Sequence, residues 1–158
     1  MGVRKSGKNA LITITPNVGD ALDISGVGTD GRSRANDFSF EIAGNLVEAE
    51  GYNEDFVESV PTGQSRVSGS LKVFYNSAAD EVEEFLWTMW QAQHMPSACT
   101  DVAAYTLNIK PEGNCSGQTD WEVSQLVLES LSFPMPVNDL LYIEIGWKGW
   151  EIERSTIT

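Results

Sequence analysis

Apolar and polar residues alternate one by one along several stretches of this chain. A period of two fits half-buried β-strands and excludes helices over those stretches. In NDFSFEI (36–42), Phe38, Phe40 and Ile42 fall on one face, with Asp37, Ser39 and Glu41 on the other. Near the other end of the chain, Leu141, Ile143, Ile145 and Trp147 oppose Tyr142 and Glu144. Residues 10–14, 66–75, 103–109, 121–132 and 139–147 are also rich in β-branched and aromatic side chains and are separated by turn formers, so they are expected as strands. Such strands build sheets with one buried face and one that is wet or meets a partner.

One segment breaks this period. From Asn76 to His94, Val82, Phe85, Leu86, Met89 and Trp90 follow the spacing of a single helical face, which predicts a helix over about 77–94. Ser77 is the expected N-cap, Asp80, Glu81, Glu83 and Glu84 sit near the positive end of the helix dipole, and Pro96 ends the segment. The apolar stripe reads as core packing, because a lone helix on a β domain must bury that face against a sheet. His94 reads as a charge that complements the helix C-terminus.

At 158 residues the chain is close to one domain in length and can bury a substantial core. Its 23 acidic and 10 basic side chains leave a net charge of −13, which argues against general binding of phosphate backbones. The charge is uneven. Residues 1–34 hold five bases (Arg4, Lys5, Lys8, Arg32, Arg34) and three acids, whereas residues 35–65 hold seven acids and no base. The basic arm suits either an acidic surface on another copy or plain solvation as a frayed terminus. No apolar run approaches the roughly 20 residues of a bilayer span, and no apolar segment follows the basic N-terminus, so a soluble, unsecreted protein is expected. Cys99, Cys115 and His94 are too few for a tetrahedral metal site. An extended strand over 103–109 sets the two cysteines apart, so free thiols are expected over an intrachain disulfide.

Catalytic patterns are sparse. The sequence has no phosphate-cradling glycine loop, no nucleophile elbow and no paired histidines; Gly19, Gly26, Gly28 and Gly31 follow turn chemistry. With 23 carboxylates some Asp/Glu pair is inevitable, so acid count says little about glycoside hydrolysis. Lys72, Lys110 and Lys148 are isolated positives and disfavour sequence-specific nucleic-acid readout. Tyr52, Phe56, Val60, Trp147 and Trp150 lie in glycine-rich or acidic stretches and suit either an interface or their own core.

The order of pieces resembles a known family. FSFEIAGNLVEAEGY leads through the acidic NEDFVESVPTGQ into SRVSGSLKVFY, then Asn76, a Ser-Ala-Ala-Asp entry and the helix. Trp121 to Leu131, the turn Pro134 to Asp139, and Leu140 to Trp147 with Gly146 and Gly149 look like a closing hairpin. The succession over about 36–150 is similar to the major tail tube proteins of long-tailed bacteriophages and related gene transfer agents. Residues 95–120 and the portion through Arg34 depart from that pattern. The resemblance implies a single mostly-β domain over 1–158, a β-sandwich or partial barrel of two packed antiparallel sheets with one flanking helix. It implies six copies per ring, with rings stacked into a hollow tube of the virion tail, assembled in the host cytoplasm. No enzyme activity and no cofactor are implied. The implied partners are further copies of itself, the tape measure protein, and terminator, baseplate or tip proteins, with DNA passing through the lumen unbound and no membrane.

Within that scheme, the N-terminal arm (1–9) and the long acidic loop (48–65) are the expected bridges between subunits or rings, since a patternless loop of that length is uncommon unless functional. The residues concerned are Arg4, Lys5, Lys8, Glu48, Glu50, Tyr52, Glu54, Asp55, Phe56 and Glu58. Strand positions opposite the apolar face, namely Ser39, Glu41, Ser68, Ser70, Glu122, Ser124 and Glu144, are expected to line the lumen as a negative, low-friction wall if the inner sheet forms the channel, and otherwise to stand on the outer, solvated wall. Two rival readings are a carbohydrate- or receptor-binding β-sandwich, with Trp147 and Trp150 as a sugar platform, and a small hydrolase using the carboxylates.

Overall fold

The computed structural model describes residues 9–49, 58–95 and 104–158. Within these described residues nine strands and one helix follow in the order β1 (Leu11–Pro16), β2 (Leu22–Asp23), β3 (Ala35–Ala49), β4 (Glu58–Phe74), α1 (Val82–His94), β5 (Tyr105–Lys110), β6 (Thr119–Ser124), β7 (Val127–Ser132), β8 (Tyr142–Gly149) and β9 (Glu151–Thr156). They form a larger, five-stranded sheet in the order β2-β1-β5-β6-β9 and a smaller, four-stranded sheet in the order β3-β4-β8-β7. Every pairing is antiparallel. The expected mostly-β architecture of two packed sheets with one flanking helix is therefore present.

The alternating residues fill the space between the sheets as the period of two dictates. Ile12, Ile14, Leu107, Ile109 and Val123 from the larger sheet meet Val67, Leu71, Val73, Ile143, Ile145 and Trp147 from the smaller one, all buried. Two strand pairs cross between sheets at corners. β6 passes into β7 at Gln125, where φ is +50°, and β8 passes into β9 at Gly149–Trp150. A Cβ on Gly149 would collide with Val123 and with Val67, one residue from each sheet, so only glycine lets the corner close. The expected single strand over 121–132 is thus two strands on different sheets. β9 itself escaped the pattern because its side chains are mostly exposed, leaving no apolar alternation to detect.

Helix α1 closes the gap beside β7. Val82, Leu86 and Met89 are fully buried, while Phe85 and Trp90 pack against the core from its rim. The N-cap is Glu81, not Ser77: the chain turns through Asp80 at φ +61°, and the helix begins at Val82. Buried Gln93 extends the apolar stripe with an amide. Its Nε2 donates to the Leu126 carbonyl (2.7 Å), and its Oε1 accepts from the Leu128 N–H (2.9 Å). Together with His94 Nε2, 2.6 Å from the Leu128 carbonyl, it occupies backbone groups that an edge strand would otherwise leave open.

Candidate assembly surfaces

A second anchor fixes the segment between β2 and β3. Glu81 is fully buried; its Oε2 accepts from Arg34 Nε at 2.9 Å, and its Oε1 accepts from Arg34 Nη2 at 3.2 Å and the Thr29 N–H at 2.8 Å. Arg34 Nη1 also donates to the Asp23 carbonyl at 2.9 Å. The Arg34 guanidinium holds the Glu81 carboxyl below its ordinary pKa against the opposing effect of burial, and Glu81 in turn raises Arg34. One ion pair thereby ties β2, the 24–34 segment and the helix start. Periodicity carries no signal for this pairing, because the two residues are 47 positions apart.

The outer face of the smaller sheet is polar and rich in small residues. Ser39, Glu41, Ser68 and Ser70 line a shallow concavity of about 420 Å³ together with Glu129 and Lys148. Ser39 and Ser70 hydroxyls are hydrogen-bonded at 2.9 Å, Ser130 Oγ accepts from the Gly146 N–H at 3.2 Å, and Lys148 pairs with Glu129 at 3.1 Å. Glu144 stands on the same face, in register with Lys72 and Ser132. Lys72 also lies 3.8 Å above the Tyr142 ring. The face carries charges of both signs and a small net negative charge: Asp37, Glu41, Glu129 and Glu144 meet Arg66, Lys72 and Lys148. Glu122 and Ser124 are elsewhere, on the outer face of the larger sheet, where they stand opposite Glu153 and Glu151 of β9. The structure thus brings five of the seven expected wall residues together and separates Glu122 and Ser124, which follow from the same alternation but belong to the other sheet.

Strands β3 and β4 run far beyond the body of the domain. β4 pairs with β8 over Val67–Phe74; beyond Val67 its partner among the described residues is β3 alone, in a two-stranded ribbon that continues through Leu46↔Pro61, Val47↔Val60, Glu48↔Ser59 and Ala49↔Glu58. The expected loop over 48–65 is therefore strand at both ends, with Glu48 and Glu58 paired backbone neighbours of Ser59 and Ala49. A bulge between Gly44 and Leu46 resets the register, which hides the ribbon from a search for strict alternation. Glu50, Tyr52, Glu54, Asp55 and Phe56, like Arg4, Lys5 and Lys8, lie outside the described residues. Leu46 (62% exposed), Val47 and Val60 stand open to solvent on this ribbon.

The aromatics divide sharply. Trp147 is 2% exposed, with its ring stacked on Phe38 at 6.1 Å, whereas Trp150 at the β8–β9 corner is 78% exposed. Trp147 lies over Gly69, opposite it in register, where any Cβ would strike the indole and the Ser39 carbonyl. A paired Trp147–Trp150 sugar platform is thus ruled out by burial of one member. Cys115 is a free, exposed thiol, and Cys99 lies outside the described residues.

No family model matches the chain, and no curated protein matches it by sequence. Solved structures do match it over its whole length. A chain of the anti-feeding prophage baseplate, solved with six-fold symmetry, superposes with a TM-score of 0.65 at 13% identity, covering 100% of this chain and 99% of that one. A chain of a native gene transfer agent virion gives 0.63 at 11% identity, covering 98% and 100%. A subunit of the SPP1 tail tube gives 0.64 at 8% identity, covering 96% of this chain and 78% of that one. From β1 to β9, this chain has the fold shared by subunits of phage tail tubes and related injection systems.

Proposed function

We propose that this chain is a non-enzymatic structural subunit of a phage-type tail tube. Six copies join in a ring, rings stack into a virion tail, and the genome leaves through the lumen. The observation that supports the reading is the full-length match to chains from tube assemblies, one of them a gene transfer agent tail with C6 symmetry. The subunits assemble in the host cytoplasm, and terminator, baseplate or tip proteins and the tape measure protein cover the ends and lumen of the tube. The ribbon over 44–49 and 58–65, with Glu48 and Glu58 on it, reaches the adjacent subunit or ring. The segments carrying Glu50, Tyr52, Glu54, Asp55 and Phe56, and Arg4, Lys5 and Lys8, serve the same contacts.

The smaller sheet forms the wall of the channel in this reading, with Ser39, Glu41, Ser68, Ser70 and Glu144 turned to the DNA. The wall stays slippery for a different reason from uniform negative charge. Its lysines are engaged within the protein, Lys148 by Glu129 and Lys72 by Tyr142, and hydroxyls fill the space between. Among the described residues, Arg66 is then the cation of this face left to displace counterions from passing phosphates. The test replaces Glu41 and Glu144 together by Lys. Each new cation adds about one phosphate contact and steepens the salt dependence of DNA binding. Tubes of E41K/E144K should assemble yet hold duplex DNA at low salt and release it as salt rises, while E122K, on the opposite face, should leave DNA passage unchanged. DNA retention by E122K tubes and none by E41K/E144K would assign the wall to the larger sheet instead.

A further inference from the structure

The strand register treats the three cations on the outer face of the smaller sheet differently. Lys72 lies between two acids, opposite Asp37 on β3 and Glu144 on β8, with its ammonium 3.8 Å above the Tyr142 ring. Lys148 is bonded to Glu129 at 3.1 Å. Arg66 has neither arrangement. It stands opposite Ala43 on β3, and on its other side the pairing of β4 with β8 begins only at the next residue, Val67, where β8 ends at Gly149. Glu41 on β3 is opposite Ser68, two positions along, and makes no ion pair with Arg66. Among the described residues the exposed guanidinium therefore has no counter-charge and no acceptor. An acid in place of Ala43 would silence it, as Asp37 and Glu144 silence Lys72. The register runs unbroken from Arg66 to Lys72, so Arg66, Ser68, Ser70 and Lys72 share one face of β4.

We propose that Arg66 is the DNA-contacting residue of this subunit, its uncommitted guanidinium binding backbone phosphates of duplex DNA in the channel without regard to sequence. This rests on the tube reading with the smaller sheet as its wall, and adds to it the group that touches the DNA and its place along the wall. A guanidinium stays charged at any working pH, and its planar fork of donors matches two phosphate oxygens at once. Six copies in a ring set six such groups in one band, at the end of the wall from which the ribbon projects. Next to it along β4 come the hydroxyls of Ser68 and Ser70, then the neutralised Lys72. Each layer thus offers the DNA one band of cations and one band of hydroxyls. Contacts to phosphate alone carry no sequence information and let a duplex slide, so the cation band slows passage without arresting it.

Tubes of wild type, R66Q and R66K test this, each assembled from the full chain in the presence of a fluorescent duplex. Nuclease removes duplex bound outside the lumen, and cosedimentation at rising salt reads what is held inside. With about two or three of the six guanidiniums engaged at once, the logarithm of wild-type affinity should fall against the logarithm of salt with a slope of about −2 to −3, a loss of roughly 10- to 40-fold over a fourfold rise in salt. R66Q should hold about ten-fold less duplex at the lowest salt with a slope of about zero, and R66K should restore the slope. Equal slopes in wild type and R66Q, or wild-type tubes that hold no duplex, would overturn the assignment and leave the tube reading in place. R66Q protein that keeps the wild-type circular dichroism yet forms no tube would make Arg66 a contact between copies, which overturns the assignment as well. Wild-type protein that forms no tube would overturn the tube reading, and this proposal with it.

Discussion

Replacing Arg34 by Met tests how the 24–34 segment is held. The substitution removes the guanidinium and leaves the fully buried Glu81 carboxylate with backbone donors, the Thr29 N–H at 2.8 Å and the Val82 N–H, and no counter-charge. Breaking a buried pair by deleting one partner costs about 3–5 kcal/mol, which for a domain of this size lowers Tm by roughly 10 °C. The penalty depends on pH in a determined direction. In the wild type, Glu81 is held below its ordinary pKa, so the pair contributes stability that is fully present above the unfolded value near 4.3 and is lost as pH falls through the lowered native value. Without Arg34, burial raises the carboxyl instead, and the folded variant takes up a proton that the unfolded chain does not hold. The difference between the two proteins is then largest near neutrality and shrinks as pH approaches 4. In R34M/E81Q, the amide oxygen still accepts from Thr29 and no charge is stranded, so stability should return to within about 1 kcal/mol of wild type. Urea melts of the three proteins between pH 4 and pH 8 decide the matter. An R34M penalty under about 1 kcal/mol at pH 7, or one equal at pH 4 and pH 7, would refute the reasoning.

Gly69→Ala should cost about 1–3 kcal/mol, because the new methyl meets the Ser39 carbonyl and the Trp147 ring, while Gly44→Ala, 3.8 Å from its nearest neighbour, should be far milder; thermal melts compare them. Gln93→Leu strands the Leu126 carbonyl and the Leu128 N–H, at about 1–3 kcal/mol, and hydrogen exchange at the Leu128 amide should accelerate. Cys115 should be alkylated by a maleimide in the folded protein, and mass spectrometry showing modification only after denaturation would contradict its exposure. Glu153→Lys relieves the like-charge pair with Glu122 and should raise Tm by about 1–2 °C at low salt, with the gain fading at high salt.

The parts of this fold legible in the sequence are those in which one face is buried. Phe38/Phe40, Leu141/Ile143/Ile145/Trp147 and the Val82–Trp90 stripe declare their period because a core selects it. Among the described residues no sheet covers the ribbon beyond Gly44, so its apolar residues obey no single face and a bulge breaks their count. β9 is silent for a related reason: it pairs at an exposed edge. Alternation also tells which residues share a face of a strand but not which sheet a strand joins. That is why Glu122 and Ser124 grouped with Ser39 and Glu41 on paper and separate in space. Trp147 illustrates the converse. Its neighbours Gly146 and Gly149 suggest an open stretch, yet the absent side chain that matters is Gly69 on the adjacent strand, which makes room for the indole. The Glu81–Arg34 and Gln93–Leu128 contacts join residues 47 and 35 positions apart and depend on a fold already formed.

Whether this chain builds a tube is read by cryo-electron microscopy of the purified protein at high concentration. Hollow, six-fold tubes are expected, in which the Ser39–Ser70 face lines the channel and the Leu46–Val60 ribbon reaches the adjacent subunit or ring. Monomers at every concentration, or closed dimers joined through identical surfaces, would contradict it.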